Sequence, residues 1–103
     1  MYNLEFLNIA KKDMDDIIYY VSNNLNNKIA ARKLAKEFIN GANSILEFPY
    51  GVPVYEPIRK LKYEYRRIKI KNFLLFYIIN EKEKKITIVR ILYQKMDIKN
   101  ILE

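Results

Sequence analysis

The sequence predicts an α+β fold: a two-helix hairpin packed on one face of a curled, largely antiparallel sheet of about four strands, with a short C-terminal helix. Three observations lead there. Apolar residues recur at helical spacing in two stretches before residue 47. All three prolines and one of the two glycines then fall between Pro49 and Pro57, where a helix cannot continue. Beyond them the chain becomes rich in Ile, Phe, Tyr, Val and Thr in short runs, as strands require.

Tyr2, Leu4 and Phe6 alternate with Asn3 and Glu5, the period of a half-buried strand. Asn8 is the expected N-cap of the first helix, whose inner stripe is Ala10, Met14, Ile17, Ile18, Val21 and Leu25, with Lys11, Lys12, Asp13, Asp15 and Asp16 facing away. The polar tract Ser22 to Asn27 ends it. Asn27 is placed to cap a second, antiparallel helix with an apolar stripe of Ala31, Leu34, Ala35, Phe38, Ile39, Ala42, Ile45 and Leu46. After the proline-rich loop, Arg66–Ile70, Phe73–Ile79 and Lys85–Leu92 read as a meander, and Asn80 to Lys84 forms its charged hairpin tip. Met96 to Leu102 reads as a short helix laying Met96, Ile101 and Leu102 on the body.

At 103 residues, 50% of them hydrophobic, the chain is expected to fold as one domain, 1–103. The absence of cysteine excludes disulfide scaffolds, thiol catalysis and Cys-based zinc sites. With no histidine either, acid–base chemistry must use Lys, Arg, Tyr, Asp or Glu in altered environments, and any metal site would be all oxygen. No cofactor or metal is expected. The longest apolar run, Phe73 to Ile79, is seven residues, against about 20 for a membrane span. With no export signal at the start, the expected location is cytoplasmic and away from membranes.

The net charge of +7 is unevenly placed. Up to Pro57 there are six basic and seven acidic residues, net −1; after it thirteen basic and five acidic, net +8. Lysines at the tip, Lys82, Lys84 and Lys85, either simply solubilise the hairpin or belong to a surface for an anionic partner. Two strand arginines ask for more. Alternation puts Arg66 on the apolar side of its strand with Ile68 and Ile70, and Arg67, Lys69 and Lys71 on the other. Arg90 likewise shares a face with Ile86, Ile88 and Leu92, while the opposite face, Thr87, Val89, Ile91 and Tyr93, is also apolar, as in a central strand covered on both sides. Each guanidinium either pairs with a carboxylate, such as Glu64 or Glu47 for Arg66, or waits for a phosphate or an acidic side chain.

These residues carry a resemblance. The Phe6…Ala10…Asp13…Ile17…Tyr20 pattern, Leu46-Glu47-Phe48-Pro49, Tyr65-Arg66 leading to Asn72-Phe73 and Phe76-Tyr77, and Val89-Arg90-Ile91-Leu92-Tyr93 followed by Asp97 together resemble the RelE/ParE superfamily of toxins from bacterial type II toxin–antitoxin pairs. The likeness covers nearly the whole chain and implies the same β-α-α-β-β-β layout. It also implies a growth-inhibiting toxin held silent by a cognate acidic antitoxin.

The target divides that superfamily. RelE-like members cleave mRNA on the ribosome without a metal; ParE-like members share the fold and poison DNA gyrase. Cleavage by the 2′-hydroxyl needs a base, cationic stabilisation at phosphorus and an acid for the leaving oxygen. On the RelE reading, Arg66 and Arg90 hold the phosphate, Lys60 or Lys62 supplies charge or the base, and Tyr93, where family nucleases carry His or Tyr, is the acid. Against it, Tyr93 shares a strand face with Val89 and Ile91, where packing alone explains a tyrosine. Met96 also follows Lys95 where the nucleases often have arginine, and Lys71 to Tyr77 and Phe48-Pro49 look more like the ParE side. Three readings follow: mRNA endonuclease, gyrase inhibitor without nuclease activity, or a non-toxic basic nucleic-acid-binding domain.

Overall fold

The structure, a computed structural model, describes residues 1–57 and 60–103. Strand β1 (Asn3–Phe6) leads into helix α1 (Asn8–Tyr19), which continues as a π-helical turn, Tyr20–Asn24. Helix α2 (Lys28–Glu47) returns, and after the loop come β2 (Arg66–Ile70), β3 (Phe73–Asn80), β4 (Lys85–Tyr93) and the short helix α3 (Ile98–Leu102). The sheet order is β1-β4-β3-β2. The meander is antiparallel, while β1 lies parallel to β4 with Leu4 beside Ile86 and Phe6 beside Ile88. The expected architecture is therefore present, with β3 and β4 each one residue longer than the sequence predicts.

The helix-facing core gathers Ala10, Leu34, Phe38 and Ile45 from the helices against Ile70, Leu75, Tyr77, Ile86, Ile88 and Ile91. Helix α2 approaches the sheet closely at Gly41, where a Cβ would meet Ile70 Cδ1 at 2.6 Å and Ile68 Cδ1 at 3.1 Å. A glycine costs a helix about 1 kcal/mol relative to alanine, and this close approach is what it provides in return. The other face of the sheet is covered too. Leu74, Phe76, Val89 and Leu92 are roofed by Tyr65 and Ile98, with Tyr55, Leu61, Ile101 and Leu102 partly buried around them. The Tyr77 hydroxyl donates to the Pro49 carbonyl at 2.7 Å, and the Tyr55 N–H to the Tyr65 carbonyl at 2.7 Å, pinning both ends of the loop.

Five details depart from the sequence reading. Leu7, not Asn8, is the N-cap of α1, because the Leu7 N–H extends the β1 ladder to the Ile88 carbonyl (3.0 Å) while its own carbonyl already accepts from Lys11. Leu25 is exposed rather than on the inner stripe, since the π-turn changes the phase of the helix before it; Ile39 is exposed as well. Met96 is exposed, and Ile98 takes its place in the core. Asp13 points inward. The Asn27 cap is as expected, its Oδ1 accepting from the Ala30 N–H at 3.0 Å. Among the described residues no helix is long and apolar enough to cross a membrane.

Candidate functional site

Strand β1 ends at Phe6, so β4 has no neighbour on that edge beyond Ile88. Asp13, one turn into α1, fills the gap. Its carboxylate accepts from the Ile91 N–H (3.0 Å), from Arg90 Nε (2.8 Å) and from Arg90 Nη2 (3.0 Å), replacing a strand partner and neutralising the guanidinium in one group. The pair is largely enclosed, with the Arg90 and Asp13 side chains 20% and 14% exposed. Those hydrogen bonds hold the Arg90 pKa above its ordinary value. Spacing could have found this partner: Asp13 lies three residues after Ala10 and four before Ile17, on the inward stripe.

The face on which Arg90 stands also differs from simple alternation. Phe76 pairs with Arg90 but Tyr77 with Ile88, so Val89 is an extra residue, a β-bulge. Beyond the bulge the parity reverses. Ile86, Ile88 and Ile91 all serve the helix-facing core, whereas Arg90 and Leu92 turn to the second face, where Arg90 helps line a hollow of about 470 Å³ with Tyr63, Tyr65, Val89 and Leu102. Across the sheet Arg90, Phe76 and Arg67 form one row. Arg67 itself is exposed on the edge strand, its guanidinium 4.5 Å from the centre of the Tyr55 ring.

Arg66 occupies the helix-facing side, in register with Tyr77. It pairs with neither Glu64 nor Glu47: it donates to the Val52 carbonyl and lies 4.9 Å from the centre of the Tyr50 ring. Among the described residues neither Arg66 nor Arg67 joins an ion pair. Tyr50 is tied down in turn, since its hydroxyl donates to Glu81 Oε2 (2.8 Å), which also accepts from the Tyr2 hydroxyl (2.6 Å), while Lys84 bonds the other oxygen. Those donors, Lys84 first, hold the Glu81 carboxyl down at about 2, and the bond to Glu81 pushes the Tyr2 hydroxyl up to about 12. Arg66 thus belongs to a polar cluster at the hairpin-tip end of the sheet.

Tyr93 stands at the opposite end, in register with Phe73 and 39% exposed. Arg66 and Tyr93 are four rows and two strands apart, about 16 Å between backbones at ordinary strand dimensions. The Arg66 guanidinium leans the other way, toward Tyr50. Lys60 and Lys62 are exposed in the loop over the second face. The Lys62 N–H donates to the Glu103 carboxylate at 2.7 Å, and its Nζ lies 5.5 Å from the Tyr63 ring centre. Glu103 also accepts from the buried Tyr65 hydroxyl (3.1 Å); burial and that bond raise the Tyr65 pKa to about 12. The five candidates therefore do not converge. Arg66 and Tyr93 share a face but not an end, Arg90 is on the other face and neutralised, and the lysines lie in the exposed loop over that face. Asp13, Tyr50, Arg67 and Glu103 are not among the site residues that the sequence predicts.

The fold recurs in solved structures, three of which bear the following likeness to this chain. A chain of the chromosomal ParDE system from P. aeruginosa superposes with a TM-score of 0.70 at 20% identity, over 90% of this chain and 96% of that one. The RelBE2 toxin–antitoxin complex from Mycobacterium tuberculosis gives 0.64 at 15% identity over 89% and 96%. The intact E. coli RelBE complex gives 0.53 at 16% identity over 93% and 100%. No curated relative matches the chain in sequence. The family described as "ParE toxin of type II toxin-antitoxin system, parDE" matches residues 4–98, which is nearly the whole length, and the chain therefore belongs to that family of toxins.

Proposed function

We propose that this toxin inhibits growth by gripping DNA gyrase, as its ParE-like features imply, and not by cutting mRNA. The observation that carries the reading is the Arg90–Asp13 pair. A guanidinium held through Nε and Nη2 by a carboxylate has its charge neutralised, so its remaining N–H groups grip a phosphate more weakly, and displacing Asp13 would also strip the Ile91 N–H of its acceptor. What remains of the nuclease set is spread over two ends and two faces of the sheet.

The partner that silences it is a cognate acidic antitoxin. Strand β2 is an edge strand, and Arg67 and Lys69 stand exposed along it, so an acidic segment adding to that edge would satisfy backbone and charge together. With Arg90 internally neutralised, the cations offered to that segment are Arg67 and Lys69.

A second reading, ribosome-dependent mRNA cleavage, is favoured by one observation: Tyr93 is exposed, so its hydroxyl is open to solvent as a general acid must be. Incubating the purified protein with gyrase and relaxed plasmid, and separately with programmed ribosomes, decides between them. Blocked supercoiling with intact mRNA is the expected result. Cleavage of mRNA that is lost on Tyr93→Phe would reverse the conclusion.

A further inference from the structure

At the end of the sheet remote from the hairpin tip, the rings of Phe73 and Tyr93 meet at 5.9 Å between centroids with their planes inclined by 61°. Phe73 is fixed from behind by Phe38 of α2, ring centroids 5.8 Å apart at 77°. Facing this corner, Asp16, Ile17 and Tyr20 come from the end of α1, and the five residues enclose a hollow of about 530 Å³ open to solvent.

Tyr20 is the first residue of the π-turn. Its carbonyl accepts from the Leu25 N–H, five residues on, at 3.0 Å, and the Asn23 side chain donates to the Tyr19 carbonyl at 3.2 Å. Such turns are rare in helices and occur frequently at functional sites. Here the widened turn lies directly beside the hollow.

The chemistry of the lining is specific. Three aromatic rings with negative π-faces line the hollow, Asp16 lies at its solvent-exposed margin, and Ile17 adds apolar surface. In a chain with net charge +7 this is a local site for a cation. A guanidinium suits it better than an ammonium, because its plane stacks on rings while its N–H groups reach a carboxylate, and the apolar lining suits the methylene stem. Asp16 is at present paired with Lys12 at 2.7 Å, but both side chains are well exposed, and such an i,i+4 pair is readily exchanged. A free amino acid would bring its own carboxylate toward Asp15 and Asp16, whereas an arginine within a polypeptide would not.

We propose that this hollow receives an arginine side chain presented by a protein partner. The proposal goes beyond the choice of gyrase or mRNA and does not depend on it. The test is a titration of isotope-labelled full-length protein with Nα-acetyl-arginine-N-methylamide, followed by NMR, beside the citrulline analogue, which has nearly the same shape and no charge. Saturable shifts are expected at Asp16, Ile17, Tyr20, Phe73 and Tyr93, with citrulline binding about tenfold or more weaker. Tyr20→Phe keeps the ring face and should keep binding; Asp16→Asn and Tyr20→Ala should each weaken it about fivefold. Lys12→Ala releases Asp16 and should strengthen binding about twofold. Equal affinity for citrulline, shifts confined to the basic sheet half, or no saturable shift overturns the proposal. Asp16→Asn and Lys12→Ala lie on the exposed helix surface, so they decide the matter even if Tyr20→Ala unfolds.

Discussion

Replacing Asp13 by alanine removes three hydrogen bonds at once, two from Arg90 and one from the Ile91 N–H. Stranding a buried charge costs about 3 to 5 kcal/mol, but Arg90 keeps some contact with water, which brings that part to about 2 kcal/mol. The Ile91 N–H, beyond the end of β1, loses its acceptor for about 1 kcal/mol more. The expected loss is about 3 kcal/mol, a large share of the 5 to 15 kcal/mol typical of a domain. In urea, with a slope of about 1.5 kcal/mol/M, the midpoint should fall by about 2 M. Because the Arg90 pKa is raised above its ordinary value, the arginine side of this contribution is fully present below that value and is lost only as pH rises past it, so the effect should persist across the neutral range. The double variant Asp13→Ala/Arg90→Met leaves no stranded charge and should be more stable than Asp13→Ala alone. A midpoint unchanged in Asp13→Ala, or strictly additive losses in the double variant, would refute the assignment of Arg90 to structure.

Three further outcomes are expected. Tyr65 has its pKa raised from 10.0 to about 12, so its contribution is fully present below pH 10 and is lost as pH rises toward 12; thermal melts of Tyr65→Phe should show a flatter alkaline decline than wild type. Glu81 is depressed from 4.5 to about 2, so its contribution is present above pH 4.5 and fades as pH falls toward 2; Glu81→Gln should flatten that acid limb in the same melts. At Gly41, alanine gains about 1 kcal/mol of helix propensity while pushing aside only the tips of Ile70 and Ile68, leaving stability nearly unchanged, but valine should cost about 2 kcal/mol in urea unfolding.

How much of this was legible in the sequence depends on which interactions set each feature. The helical stripes and the meander could be read because their periods are local: Leu34, Phe38, Ala42 and Ile45 recur every three or four residues whatever they pack against. The roof over the second face could not. Tyr55, Leu61 and Tyr65 have no period, and their burial depends on a loop folding back and on Ile98 arriving from the C-terminal end. The π-turn after Tyr19 also escapes pattern reading, since it adds no residue type that an α-helix would refuse, and it is what leaves Leu25 in solvent.

One residue moves Arg90 off the face that simple alternation gives it. Alternation assigns Arg90 to the face of Ile86 and Ile88, and the inference that it joins Arg66 there is sound for a regular strand. Val89 breaks the regularity, and the residues around it are apolar on both faces, so nothing in the composition marks where the parity reverses. The bulge falls where β1 stops and Asp13 takes over the edge of β4, which makes the two features one device: β4 must turn Arg90 toward that edge for a helix carboxylate to hold its guanidinium and the Ile91 N–H together. An arginine used in this way serves the fold. What the surface keeps exposed are the cations of the β2 edge and the aromatic corner beside Tyr20, two patches of opposite charge preference.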